Sequence, residues 1–273
     1  ERLYNAPLII CYSGGKDSDV LLQLAINSGI RFEVLHNHTT VDAPETVYHI
    51  RDMFKRLELQ GVKCTLEKPT YKGERVTMWS LIPQKMLPPT RLMRYCCSVL
   101  KEKGGRNRAI ATGVRRAESV ARSKRGIFED FASDRKKKII LNNDNDDKRR
   151  WFERCEKQAK TLVNPIVDWN DEDIMNYIQN ENISLNPLYC EGFKRVGCIG
   201  CPLSNKKNRY AEFRLYTTYE KAYIHAFDRM LQVRKANDKT GTWQTGYDVF
   251  RWWLEEDFRQ IEISEEFYED DKQ

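Results

Sequence analysis

The stretch Ile9-Ile10-Cys11-Tyr12-Ser13-Gly14-Gly15-Lys16-Asp17-Ser18 constrains this chain more than any other. The apolar run from Pro7 to Tyr12 reads as a short buried strand, and the apolar-rich run from Val20 to Ile26 has helical spacing. Between them stand two glycines, a lysine, an aspartate and a serine. Strand, tight glycine turn and helix start together make an anion site. Gly14 and Gly15 let the backbone turn sharply and bring N–H groups close to a negative group. The new helix adds its unpaired N–H groups and the positive end of its dipole. Ser18 caps or donates a hydroxyl, and Lys16 supplies a point charge for phosphate oxygens. A plain glycine turn is the alternative reading. The spacing is not Gly-x-x-x-x-Gly-Lys-Ser/Thr, so a Walker loop is excluded.

The first helix is expected from Asp17 to Ser28, closed by Gly29, and the second strand from Phe32 to His36. A polar loop, Asn37 to Thr46, leads into a helix from Pro44 to Gln60, with Pro near its start and Gly61 at its end. Val62 to Leu66 reads as a third strand. This βαβαβ order predicts an α/β fold with a doubly wound parallel sheet and ligands at the carboxyl ends of its strands. Tyr71 to Pro89 is less regular, broken by Pro83, Pro88 and Pro89. Arg91 to Lys103 reads as helix and Arg108 to Gly113 as a fourth strand. Past it come Gly113, Arg115, Glu118 and Ser119, all candidates for nucleotide contact, with Arg115 on phosphate. Arg116, Arg122, Lys124 and Arg125 form a solvated basic face or a nucleic-acid track.

Residues 123 to 150 are dense in charge, and a mobile excursion with a short strand at Ile139 to Leu141 is expected there. Thr161 to Val167 gives a further strand, and a helix follows, capped by Asn170 or Asp171. Arg209 to Asn237 and Asp248 to Gln260 read as helices with aromatic weight, and residues 265 to 273 as a frayed acidic end. The division is a nucleotide-binding α/β domain over residues 1–183 and a cysteine-loop and helical region over 184–273.

The net charge of +6 suits an anionic ligand but is too mild to separate nucleotide from nucleic acid. No run is long and apolar enough for a membrane span, and no signal peptide is visible. Eight cysteines without a secretion signal argue against a disulfide framework and for a cytoplasmic chain. The first residue is Glu, so a preceding segment is expected. Cys96-Cys97 and Cys198-x-x-Cys201 are the candidate metal ligands. Adjacent cysteines on a helix diverge by about 100°, which favours two irons of one cubane over a single tetrahedral ion. The set therefore favours a [4Fe–4S] cluster over zinc, with uncoordinated thiols as the third possibility. Cys11 is expected as a buried small hydrophobe, Cys64 alternates within a strand, Cys155 has no assignment, and Cys190 is an exposed thiol or a persulfide carrier. His36 and His38 serve proton transfer or, more simply, structure.

Ser-Gly-Gly-Lys-Asp-Ser resembles the PP-loop of the ATP pyrophosphatase superfamily. Pro44-Glu45-Thr46, the Cys-Cys pair, Gly113-Val-Arg-x-x-Glu-Ser119 and Cys198-x-x-Cys201 extend the likeness to the phosphoadenylylsulfate and adenylylsulfate reductase family, from about Pro7 to Met230. The resemblance implies a loop that holds the pyrophosphate part of ATP while a nucleophile attacks the α-phosphorus. It puts Ser13, Gly14, Gly15, Lys16, Asp17 and Ser18 on the nucleotide, Lys16, Asp17 and Arg115 in catalysis, and Cys96, Cys97, Cys198 and Cys201 on a [4Fe–4S] cluster. Mg²⁺ is expected with ATP. Asp42 and Glu45 bind metal or ribose, or simply suit a helix start. Reductases of this kind carry a nucleophilic cysteine in a C-terminal tail, whereas no cysteine follows Cys201 here. The expectation is therefore closest to the iron–sulfur ATP pyrophosphatases of DNA phosphorothioation. Such an enzyme activates a nucleic acid for sulfur insertion, with a sulfur donor such as a cysteine desulfurase as partner. A sulfonucleotide reductase and a tRNA thiolase are the alternatives. Oligomeric state is open.

Overall fold

The computed structural model describes residues 5–102, 104, 105, 108–120, 122–131, 160–239 and 241–255. In chain order the elements are β1 (Leu8–Cys11), α1 (Lys16–Asn27), β2 (Phe32–Asn37), α2 (Pro44–Leu59), β3 (Cys64–Glu67), β4 (Thr70–Tyr71), β5 (Glu74–Arg75), α3 (Met78–Lys85) and α4 (Tyr95–Leu100). Then follow β6 (Ala109–Ala111), β7 (Phe128–Phe131), β8 (Lys160–Val163), α5 (Asp171–Asn180), α6 (Lys206–Leu215), α7 (Thr217–Ala236) and α8 (Gly246–Glu255). The chain forms two compact units. The first holds residues 1–38, 42–68 and 102–197; the second holds 39–41, 69–101 and 198–273. No single cut at residue 183 separates them. The segment 69–101, with the Cys96-Cys97 pair, belongs with the C-terminal cysteine loop.

The first unit is an α/β fold on a six-stranded sheet in the order β3-β2-β1-β6-β8-β7. Neighbours from β3 to β8 run parallel, so the chain winds outward from β1 in both directions, as the βαβαβ order predicts. Alternation along the strands builds two apolar layers. Ile10, Tyr12, Val34 and Ala111 pack with Leu21, Leu22 and Ala25 of α1 and Ile50 and Leu57 of α2. Ile9, Leu35, Ile110 and Leu162 form the other layer. Ile174 and Ile178 of α5 close on Val20 of α1 and on Ile166. The edge strand β7 is antiparallel to β8, where the sequence suggested a charged excursion. The rest of that excursion, its Ile139–Leu141 strand, Cys155 and the acidic end lie outside the described residues.

The second unit is mainly helical around a small antiparallel β4–β5 hairpin. Three stretches differ from expectation. Pro83 lies inside α3. It leaves the carbonyl of Trp79, four residues back, without its helical N–H, and Arg229 Nη2 donates to that oxygen at 2.7 Å. The single helix expected over 209–237 divides into α6 and α7 at Tyr216. The expected helix over 91–103 contracts to α4. Trp253, Tyr223, Phe227 and Phe213 are buried, with Phe213 edge to face on Tyr223, Phe227 edge to face on Trp253 and Tyr223 tilted against Trp253, so these aromatics form core rather than a stacking platform for bases. Among the described residues no helix is long and apolar enough to cross a membrane.

Candidate functional site

Two sites emerge, one in each unit. In the first, β1 ends at Cys11 and the chain turns through Gly14, whose φ of +72° is left-handed. A Cβ at Gly14 would lie 3.0 Å from Ile50 Cγ1, so the turn is pressed onto α2. Gly15 precedes the first turn of α1. The Ser18 hydroxyl folds back into the loop, donating to the Gly15 carbonyl at 2.7 Å and accepting from the N–H groups of Ser13 and Gly15 at 3.2 Å. The serine thus holds the loop's shape and occupies N–H groups that an anion would otherwise take.

The two candidate cations meet beside this loop. Lys16 Nζ reaches Asp171 Oδ1 at 3.1 Å, and Arg115 Nη2 reaches the same oxygen at 2.8 Å. Arg115 Nε also pairs with Asp17 Oδ1 at 2.7 Å, and the arginine is only 3% exposed. Asp171, at the first position of α5, is 78% exposed. Hydrogen bonding to Arg115, then Lys16, holds its carboxyl below the ordinary value of 3.8. The sequence reading offered Asp171 only as a cap. Asn170 is the cap, accepting from Glu172 and Asp173, and Asp171 is turned to the cations.

The other sequence candidates take supporting places. A Cβ on Gly113 would lie 3.0 Å from the Asp17 carbonyl oxygen, so this glycine lets the end of β6 approach the loop backbone. Glu118 accepts from the Arg115 N–H at 3.2 Å and pairs with Arg122, and Ser119 Oγ accepts from the Arg122 N–H at 3.3 Å. Both shape the loop around Arg115. Glu45 is half-buried in the first turn of α2, and Asp42 is buried just before it. Arg116, Arg122 and Arg125 pair with Asp168, Glu118 and Glu129, so most of the expected basic face is neutralised locally. Cys64 is half-buried, and burial pushes its thiol up to about 11. Cys190 is exposed.

Sequence reasoning missed the brace beneath the loop. Asn186 is fully buried. Its Nδ2 donates to the Gly14 carbonyl at 3.1 Å and to Thr46 Oγ1 at 3.0 Å, while its Oδ1 accepts from the Leu188 N–H. Three residues on, the Tyr189 hydroxyl accepts from the Lys16 N–H at 2.9 Å. Burial raises this phenol's pKa, so it stays protonated at neutral pH. The only local sign was Asn before Pro, which marks a turn.

The second site gathers the four predicted cysteines. Cys96 hydrogen-bonds to Cys97 and lies close enough to Cys198 and Cys201 for all three thiols to push its pKa up. The Arg94 guanidinium, 3.5 Å from Cys97 Sγ, and Lys101 help to pull Cys97 down, after its hydrogen bond with Cys96. The Cys198–Cys201 turn has Gly200 at φ +70°. The Gly200 N–H donates to Glu212 Oε2 at 2.7 Å, and a Cβ there would lie 2.5 Å from Phe213 Cζ. Among the described residues, only His36, His38 and Asp42 bring three ligand atoms within 4.8 Å of one another. No three of the described thiols lie within that distance of one another, whereas a lone tetrahedral zinc, with Zn–S bonds of about 2.3 Å, would draw all four inside it. Four cysteines so placed fit the donor set of an iron–sulfur cluster.

Comparison with known proteins gives a consistent frame. Residues 7–204 match the phosphoadenosine phosphosulfate reductase domain family. An uncharacterized protein of Methanocaldococcus jannaschii is 29% identical over 82% of this chain and 46% of its own length. Sulfate adenylyltransferase subunit 2 of Allorhizobium ampelinum is 30% identical over 66% of this chain and 57% of its own. Adenosine 5'-phosphosulfate reductase of Oceanobacillus iheyensis is 23% identical over 73% of each. The chain thus spans about half the length of the first two.

Proposed function

The chain belongs to the phosphoadenosine phosphosulfate reductase domain family, and on that premise we propose that it is an ATP-cleaving, adenylating enzyme. Its acceptor is a nucleic acid, most simply a DNA backbone phosphate, activated for sulfur incorporation. The observation that carries the first step is the convergence of Lys16 Nζ and Arg115 Nη2 on one oxygen, at the mouth of a glycine turn. Two cations from separate elements, fixed around one oxygen position, are arranged as for a phosphate oxygen. An exposed carboxylate holds that position here, and the polyphosphate of ATP exchanges with it. The adenylyltransferase relative supports this use of the loop.

In this reading Gly14, Gly15 and Ser13 wrap the β and γ phosphates. The acceptor oxygen attacks the α-phosphorus and pyrophosphate leaves. Lys16 and Arg115 offset the charge that builds on the leaving oxygens. Asp17 is the carboxylate that would hold Mg²⁺ together with the phosphates. Cys96, Cys97, Cys198 and Cys201 would hold a [4Fe–4S] cluster. When bound, it supplies an iron site for sulfur or electrons. A sulfur donor such as a cysteine desulfurase completes the reaction.

The test is product analysis on anaerobically prepared protein with ATP and Mg²⁺. AMP and pyrophosphate are expected. Their absence in the presence of DNA, tRNA and a sulfur donor overturns the reading. A second reading, sulfonucleotide reduction, is favoured by the Oceanobacillus relative. It predicts sulfite from adenylylsulfate and a thiol reductant, with no ATP cleavage.

A further inference from the structure

We propose that His36, His38 and Asp42 form a binding site for one divalent first-row transition-metal ion, made of other residues than the Ser13–Ser18 loop. His36 ends the buried part of β2, and His38 follows at the alternate position. Residues two apart on an extended chain project to the same side. Asp42 stands one residue before Ala43, the cap of α2, so the helix start fixes its backbone. The ligand atoms of all three lie within 4.8 Å of one another, and His38 Nδ1 is 4.0 Å from Asp42 Oδ2.

The ring of His36 is held in a ligand-ready form. Its Nδ1–H donates to the Tyr12 carbonyl at 2.9 Å. A neutral ring so bonded carries its lone pair on Nε2, and a carbonyl on the far nitrogen is a usual support for a metal-bound imidazole. His36 and Asp42 are buried, while the His38 side chain is 32% exposed and leaves a way in. Two imidazoles and one carboxylate suit Zn²⁺, Mn²⁺ or Fe²⁺. Mg²⁺ and Ca²⁺ prefer an all-oxygen shell. Three protein ligands leave coordination positions open for water or substrate. Tyr12 directly precedes Ser13, so the ion's histidine rests on the backbone that enters the phosphate loop. The plainer account is a direct contact between His38 and Asp42, and it needs no metal. The site makes no use of nucleotide, so it stands whether or not ATP is the substrate.

Mn²⁺ separates these accounts, because it favours nitrogen and oxygen over thiolate. The chain is titrated with Mn²⁺ without nucleotide and followed by electron paramagnetic resonance. Spin-echo modulation then reads ligand nitrogen directly. One bound Mn²⁺ per chain is expected, with modulation from two imidazole nitrogens, and tenfold Mg²⁺ should not displace it. His38→Ala and Asp42→Asn should each weaken binding by about tenfold or more, with His38→Ala leaving one nitrogen coupling. His38 is chosen because its partial exposure spares the fold, which circular dichroism checks. No bound Mn²⁺, bound Mn²⁺ without nitrogen modulation, or unchanged affinity in both folded variants would each overturn the site.

Discussion

The Ser13–Ser18 loop and the Cys198–Cys201 turn both pivot on a left-handed glycine, Gly14 at φ +72° and Gly200 at φ +70°. They are held by opposite means. The phosphate loop is braced by polar groups: Ser18, Asn186, Tyr189 and the Arg115–Asp171 pair. The cysteine turn is pressed against aromatic rings, with Phe213 and Trp253 filling the space beside Gly200 and the Tyr223 hydroxyl donating to the Ile199 carbonyl at 3.0 Å. A polar brace can exchange partners when an anion arrives, because each lost hydrogen bond is replaced by another. An aromatic wall cannot exchange anything. It fixes thiols at set spacing in a low-dielectric shell, which suits a resident group rather than a transient one.

The contrast predicts where charge matters most. Arg115→Ala should lower pyrophosphate release by about 10²–10³-fold, the usual loss for one well-placed donor at a developing charge. Arg115→Lys should recover little of it, because a single ammonium cannot serve Asp17 and the phosphate position together. Arg94→Ala, the matching deletion beside Cys97, should leave that rate within a few-fold. A comparable loss from both variants would mean that the two regions do not divide the work. Packing matters most in the other region. A Cβ at Gly200 meets the Phe213 ring at 2.5 Å, against 3.0 Å from a flexible isoleucine at Gly14. Gly200→Ala should cost about 2–3 kcal/mol of stability and Gly14→Ala less, read from urea midpoints. The reverse ranking would show that the aromatic wall yields.

The same contrast explains what the sequence made legible. Six adjacent residues between a strand and a helix make the glycine turn, so its shape could be read from local pattern alone. The parallel sheet followed from alternating strand and helix signals, and the thiol set from cysteine spacing. Asp171 could not be read as a partner of Lys16 and Arg115, because an acid in a first helical turn is fully explained by the helix dipole. Asn186 lies 172 residues from the Gly14 carbonyl it holds, and nothing local marks such a contact. The edge strand β7 was hidden because its Phe128-Glu129-Asp130-Phe131 sequence sits in a charged stretch and pairs only across the sheet. The unit boundary was misplaced for a related reason: 69–101 joins the C-terminal part through tertiary packing that leaves no composition shift.

Asn186 gives the next largest effect. Truncation to Ala strips a fully buried side chain of three hydrogen bonds. The Gly14 carbonyl and the Leu188 N–H then lose their partner, at a cost of about 1–3 kcal/mol for each group left unsatisfied. Asn186→Ala should therefore lower the urea midpoint and raise the KM for ATP together. A change in stability with KM untouched would show that the phosphate loop keeps its shape without this brace.

The smallest effect tests the exchange itself. Asp171 competes with phosphate for Lys16 and Arg115, so Asp171→Asn should tighten Mg²⁺-free binding of a non-hydrolysable ATP analogue by about 2–5-fold, the scale of an exposed ion pair. Its acid dependence follows from the lowered carboxyl. A folded-state value below the ordinary 3.8 means that the ion pairs stabilise the fold fully above that value and are lost as pH falls through the lower one. The stability gap between wild type and Asp171→Asn should hence stay level from about pH 7 to pH 5 and close only in stronger acid. A gap that closes between pH 7 and pH 5 would place its origin in a group with a higher pKa, such as a histidine, and would remove Asp171 as the anion that ATP displaces.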